Sequence, residues 1–163
     1  MVDIKAFKGT RPHNEEAENL IAPSTDHLSE EGIIDIHEKN YWNYLKVLNP
    51  VGQLKNEDSL RVAKEHFNQM KEKHIIKQDD QECFYIYRIQ SQSHIQTGFL
   101  SITRIDNYIN KLIKGHELIY DHRMQERADQ MLNLETQIGP IYVSYKDNAD
   151  LDNFINQLTI SSI

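Results

Sequence analysis

Residues 83-CFYIYRIQ-90 and 94-HIQTGFLSI-102 decide the fold class. Both runs are rich in aromatic and β-branched residues, which suit a pleated, half-buried surface, and only Ser91-Gln92-Ser93 lies between them. The pattern predicts an antiparallel hairpin. Upstream, Leu60, Ala63, Phe67 and Met70 recur at three- and four-residue steps. That spacing predicts a helix from about Asp58 to Lys73, with Arg61, Lys64, Glu65 and Lys71 on its wet side. His66 and His74 on this helix are expected at its surface or boundary. Ser29 is expected to cap a shorter helix from Glu30 to about Asn40, with Glu30 and Glu31 at its positive end. Between the two helices, 41-YWNYLKVL-48 reads as a strand that ends at Asn49-Pro50. The first thirty residues read as ordered but irregular, anchored by Ile4, Phe7 and Ile21. Pro23-Ser24-Thr25-Asp26 within them has turn chemistry.

Downstream of the hairpin, a turn of helix near Ile105 to Ile109 precedes a longer helix from about Tyr120 to Glu135. Met124, Ala128, Met131 and Leu132 are its expected inward face. Gly139-Pro140 then leads into a strand, 141-IYVSY-145, and residues 150–158 resemble a final short helix. There are no internal repeats and no low-complexity tracts. Helices mixed with partly antiparallel strands give an α+β (mixed α/β) expectation: a partly antiparallel sheet with flanking helices, in a single domain over residues 1–163.

Composition narrows the function. The chain of 163 residues, 39% apolar and 26% charged, is long enough for one packed core. A formal net charge of −7 argues against a broad nucleic-acid or anionic-membrane footprint. Cys83 is the one cysteine, which excludes an internal disulfide and a cysteine-built zinc site and suits a reducing compartment. The N-terminus MVDIKAFKGT lacks the apolar run of a signal peptide, and no stretch approaches the length of a bilayer span. The expectation is a soluble cytoplasmic protein without membrane partners.

Eight histidines raise the question of a metal, and their spacing does not support one. His116 and His122 are six residues apart, so on a helix they would point about 240° away from each other. The others are scattered singly, and no metal site is predicted. Cys83 opens a strand without a cationic neighbour in sequence and is expected to be a buried structural thiol. Phe84, Tyr85 and Tyr87 could stack on bases, but core and edge alternation in a strand accounts for them as well. Arg123 and Arg127 are four apart and share a helix face. They could grip a phosphate or carboxylate, or pair with Asp121 and Glu126.

The stretch 111-KLIKGHELIYDHRMQER-127 gains meaning from its companions. They run in order from Lys5 to Pro12, Ala22-Pro23-Ser24-Thr25-Asp26-His27-Leu28-Ser29, Gln96-Thr97-Gly98, Ile113-Lys114-Gly115-His116-Glu117, Glu126-Arg127, and Glu135 to Ile141. This ordered set resembles the N-terminal half of domain-of-unknown-function family 1015, a group of soluble prokaryotic proteins with no settled activity. Ser24 and Thr25 stand where the family has a second proline and a tyrosine, and Gly115 replaces a basic residue. The family is in turn similar to the chromosome-partition-protein/sulfiredoxin superfamily, whose members include nucleotide-dependent kinases of free serine.

The resemblance implies that Glu117 is the general base on a substrate hydroxyl. His116 would be its orienter or a substrate contact, and Lys114, Arg123 and Arg127 would be anion contacts. A carboxylate within reach of a hydroxyl can accept its proton while cations steady the transferring phosphoryl group. The family's downstream D-G-H-H-R motif is absent here. The chain is therefore expected to be the N-terminal half of a longer architecture, as a fragment or a natural short form. The implied function is a phosphotransferase-like half-site taking a nucleotide (ADP or ATP with Mg) and a small hydroxylated amino acid. The alternative is a non-catalytic binding or regulatory module, or a dimerising scaffold. A homodimer or the missing C-terminal half would be its partner.

Overall fold

The computed structural model of the chain describes residues 2–24, 28–50, 57–116 and 120–160. In chain order the elements begin with β1 (Ile4–Lys5), β2 (Thr10–Pro12), α1 (Ala17–Leu20), α2 (Glu30–Lys39) and α3 (Leu45–Leu48). They continue with α4 (Glu57–Glu72), β3 (Ile76–Gln78), β4 (Tyr85–Gln90), β5 (Ile95–Leu100) and β6 (Ile102–Thr103). The order ends with α5 (Asp106–Ile109), α6 (Asp121–Leu134) and α7 (Ala149–Ile160). Helices with short antiparallel ladders make the fold α+β, as the sequence predicts. No described helix is long and apolar enough to cross a membrane. The chain resolves into two compact units, a helical one (described residues 10–24, 28–50, 57–79 and 120–138) and a hairpin one (2–9, 80–116 and 139–160).

The helical unit is built on α4. Ala63, Phe67 and Met70 are buried along one stripe of this helix, as their spacing predicts, and His66 is buried with them at 6% exposure. His66 is thus buried, where a surface or boundary position was expected. Val47, Leu20, Ile76, Leu134 and Ile138 close the cluster around Phe67 and Met70. The helix stops at His74, whose φ of 58° is left-handed, with the Ile75 amide returning to the Met70 carbonyl at 2.9 Å. The chain then pairs β3 with β2, Arg11 opposite Lys77, and the Arg11 Nε lies 3.0 Å from both carboxylate oxygens of Asp79.

Ser29 caps α2 as predicted, its Oγ accepting from the Gly32 amide at 3.2 Å. The strand expected at 41–48 is not formed. Two asparagines bend the chain there: Asn40 Oδ1 accepts from the Trp42 amide at 3.1 Å, and buried Asn43 accepts from the Leu45 amide at 2.9 Å. Side-chain acceptors of this kind offer the backbone an alternative to a ladder. The following turn of helix, α3, buries both Leu45 and Val47 completely, which alternation on one strand face could equally have suggested. Asn43 also donates to the Ile21 carbonyl at 2.7 Å, so Ile21 is held by its backbone. Its side chain is 68% exposed and is not the anchor expected; neighbouring Leu20 is.

Helix α6 meets α4 through its C-terminal half alone. Asn133 donates to the Leu60 carbonyl at 2.6 Å, and Gln130 to the Leu48 carbonyl at 2.9 Å. Leu134 is buried and Met131 half-buried, whereas Met124 and Leu132, expected inward, are exposed. The first two turns of α6 lie outside the packed region, so their apolar residues have no inner face to join. Glu135, at φ 53°, ends the helix, and its carboxylate pairs with Lys64 at 2.9 Å.

In the hairpin unit, β4 and β5 pair in register from Tyr85 opposite Leu100 to Gln90 opposite Ile95, confirming the hairpin. The short β1–β6 ladder sets Ile4 opposite Thr103. Ile4 itself is 41% exposed, short of an anchor. Phe7 and Cys83 form a bridge in which each amide donates to the other's carbonyl. Cys83 is exposed, because that bridge is an edge and not a core position. Gly9 is required beside it: its amide donates to the Tyr85 hydroxyl at 2.7 Å, and a Cβ would lie 2.9 Å from that ring. Buried Asn107 ties β6 to α5 through Thr103 Oγ1 at 2.6 Å. Residues 141–145 carry no strand. Tyr142 instead accepts a side-chain hydrogen bond from Gln96 at 2.7 Å, and α7 starts where Asn148 accepts from the Asp150 amide.

Candidate functional site

The sequence-derived candidates divide between the two units. Lys114 and His116 lie in the hairpin unit, in an exposed segment without regular structure after α5. That segment begins at Lys111, whose φ of 58° turns the chain, and the Leu112 and Ile113 amides both donate to the Asn107 carbonyl at 2.9 Å. Neither Lys114 nor His116 has a hydrogen bond or ion pair with another described residue. Glu117, the expected base, lies outside the described residues, as do Thr25, Asp26 and His27 of the expected turn.

Arg123 and Arg127 belong to the helical unit and occupy the exposed first turns of α6. The Arg123 guanidinium lies 6.0 Å from the Tyr120 ring centroid, and Arg127 Nη1 donates to Gln130 Oε1 at 3.2 Å. Among the described residues neither forms an ion pair, so the exposed partners Asp121 and Glu126 do not neutralise them. No group of three or more His, Cys, Asp or Glu residues among those described could hold a metal ion.

A second constellation, which the sequence does not signal, lies wholly in the helical unit. A hollow of about 500 Å³ is bounded by α2, the 41–50 segment and α4. Its polar wall is His37, Tyr41, Lys46 and His66, and Ile34, Val62 and Pro50 supply apolar surface. The His66 ring stacks on Trp42, with centroids 5.7 Å apart and planes 30° apart. It also meets Tyr41 edge-on at 5.3 Å. The Lys46 ammonium sits 4.4 Å from the Tyr41 ring centroid, a cation–π contact. Tyr41 is steadied in turn by its hydroxyl, which donates to Gln69 Oε1 at 2.8 Å.

Lys46 acts on both imidazoles of this hollow, which Glu38 and Glu65 also line. Burial, then the Lys46 charge, then His37 push the His66 imidazole down to about 4. His37 is lowered in the same way by burial and by Lys46, partly offset by a hydrogen bond with the Leu45 backbone. Burial also lowers Lys46. Both rings are therefore neutral at pH 7, and the Nε2 atoms of His37 and His66 are buried without a hydrogen-bond partner among the described residues. An unmatched buried polar atom costs about 1–3 kcal/mol, and such atoms mark sites of function or strain. Lys46 forms no ion pair with a described carboxylate. By contrast, the neighbouring hollow of about 430 Å³ beside Leu60 and Asn133 has its cations matched. Arg61 pairs there with Glu65 at 2.7 Å and Lys64 with Glu135 at 2.9 Å.

His37, Lys46 and His66 escape sequence reading because they come from three elements. The bend at Asn40 and Asn43 brings Lys46 toward α4, and a strand at 41–48 would have sent it elsewhere. No curated protein and no solved structure matches the chain. A family model described as a protein of unknown function, DUF1015, matches residues 4–162, and the chain belongs to that family.

Proposed function

We propose that the chain is a small-molecule binding module whose ligand occupies the hollow between His37, Lys46 and His66. The observation that carries this reading is an ammonium seated over the Tyr41 ring without an ion pair to a described carboxylate, in a hollow beside the buried His66 and half-buried His37 imidazoles. Pockets of about 300–1,000 Å³ with apolar walls and a few convergent polar groups are the usual form of small-molecule sites. Trp42, the chain's one tryptophan, stacks on His66 and makes the site self-reporting. A fragment panel read by Trp42 emission and by melting temperature tests the reading. Binders that raise the melting temperature and are weakened in Lys46→Met support it. A panel without binders, or binders indifferent to His66 and Lys46, refutes it.

A second reading rests on a different observation, the exposed arginine pair of α6 with no described carboxylate partner. In it the chain is half of a nucleotide-dependent phosphotransferase-like site for a small hydroxylated amino acid. By resemblance Glu117 is the base and His116 its orienter, and Lys114, Arg123 and Arg127 contact phosphate. Melting curves with ADP or ATP and magnesium, with and without serine, test it. A nucleotide shift lost in Arg127→Ala supports the reading, and no shift with any nucleotide removes it.

A further inference from the structure

We propose that the ligand of the His37–Lys46–His66 hollow is a small oxyanion, a carboxylate or phosphate on an apolar or aromatic body, bound together with a proton. The inference rests on the binding-module reading and adds the charge class of the ligand and its coupling to pH.

Every charged group facing the hollow bears on the argument. Helix α2 contributes His37 and Glu38, the following segment contributes Tyr41 and Lys46, and α4 contributes Glu65 and His66. Glu65 is matched by Arg61 at 2.7 Å, and Glu38 is exposed. Lys46 acts on both histidines. The inner wall therefore presents one ammonium and two imidazoles that burial, and then the ammonium, keep neutral. A negative group seated against Lys46 reverses that field, because an opposite charge within about 4–6 Å favours the charged form of a titrating group. The anion thus raises the proton affinity of His37 and His66 as it binds. Neither Nε2 atom touches solvent, so the coupling runs through the field and not through direct contact.

The walls define the rest of the molecule. Ile34, Val62 and Pro50 accept an apolar body, and the hollow holds about 500 Å³. A compact acid fits these conditions better than a nucleoside triphosphate.

The test uses four probes that share one ring: benzoate, phenyl phosphate, benzyl alcohol and benzylamine. Each is titrated calorimetrically into the full chain at pH 5 and pH 7, in two buffers of different ionisation heat. The expected result is binding of one or both anions, with proton uptake and an affinity that falls as pH rises, by at most about tenfold per pH unit for one coupled proton. Benzoate against phenyl phosphate separates the two sources of the oxyanion. Lys46→Met should weaken anion binding by roughly tenfold or more. His66→Phe keeps an aromatic ring on Trp42 and should bind the anion with reduced proton uptake, which a general loss of folding would not produce. Equal binding of benzyl alcohol without pH dependence overturns the oxyanion inference and leaves the binding module standing. Tighter binding of benzylamine does the same. Failure of all four probes at both pH values overturns the oxyanion inference, and the wider fragment panel then decides the binding reading itself.

Discussion

Replacing His66 with phenylalanine should remove a specific acid sensitivity from the fold. The imidazole titrates at about 4 in the folded chain against 6.5 as its ordinary value. As pH falls below 6.5 the unfolded chain takes up this proton first, so stability is full above 6.5 and is lost progressively toward about 4. A tenfold change in proton affinity corresponds to about 1.4 kcal/mol, which sets a ceiling of about 3 kcal/mol on the total loss. Water on the open side of the hollow screens part of the effect, and the expected loss by pH 5 is of the order of 1–2 kcal/mol. Urea unfolding followed by far-ultraviolet circular dichroism at pH 7, 6 and 5, in parent and variant, measures it. Groups common to both proteins cancel in the difference, and His37, which shifts in the same direction, remains in each. The parent should lose stability relative to His66→Phe as pH falls. Parallel pH profiles would refute the buried neutral histidine.

Other substitutions test the fold around the site. Ser29→Ala removes the cap of α2 and should cost about 1 kcal/mol in urea unfolding, with no change in the His66 titration. Met70→Ala, at the centre of the helical core, should cost about 2–5 kcal/mol by the same measurement. Gly139→Ala places a side chain at φ 75° and should cost about 1 kcal/mol, although nothing lies within 4 Å of the new Cβ. If nucleotide raises the melting temperature, Arg127→Ala should abolish the shift and Glu117→Gln should retain it, because a base is needed for transfer and not for phosphate binding.

Local rules carried much of the fold. The α4 stripe, the Ser29 cap and the 83–102 hairpin each follow from a period or a cap written in a short window. The errors arose where a local side-chain hydrogen bond or packing at another part of the chain overrides composition and period. At 41–48 the aromatic and β-branched content favours a strand, and Asn40 and Asn43 bend the chain by accepting backbone hydrogen bonds. At 141–145 the composition again favours a strand, but no described strand pairs with the segment, and Tyr142 meets Gln96 through side chains alone. Met124 follows the helical period on a helix that packs through its other end, and Leu132 lies in the packed end but faces away from Met131 and Leu134. The arginine pair was legible as i and i+4 on one face. The histidine hollow was not, because His37, Lys46 and His66 meet only after α2, α3 and α4 have packed.

The most direct test of the account is a nuclear magnetic resonance titration of the His66 and His37 ring signals in the parent chain and in Lys46→Met. The account predicts that His66 titrates at about 4, that His37 lies below 6.5, and that both move upward when the Lys46 charge is removed. Two histidines that titrate at 6.5 and ignore the loss of Lys46 would show that they face water, and the proposed ligand site would fall with them.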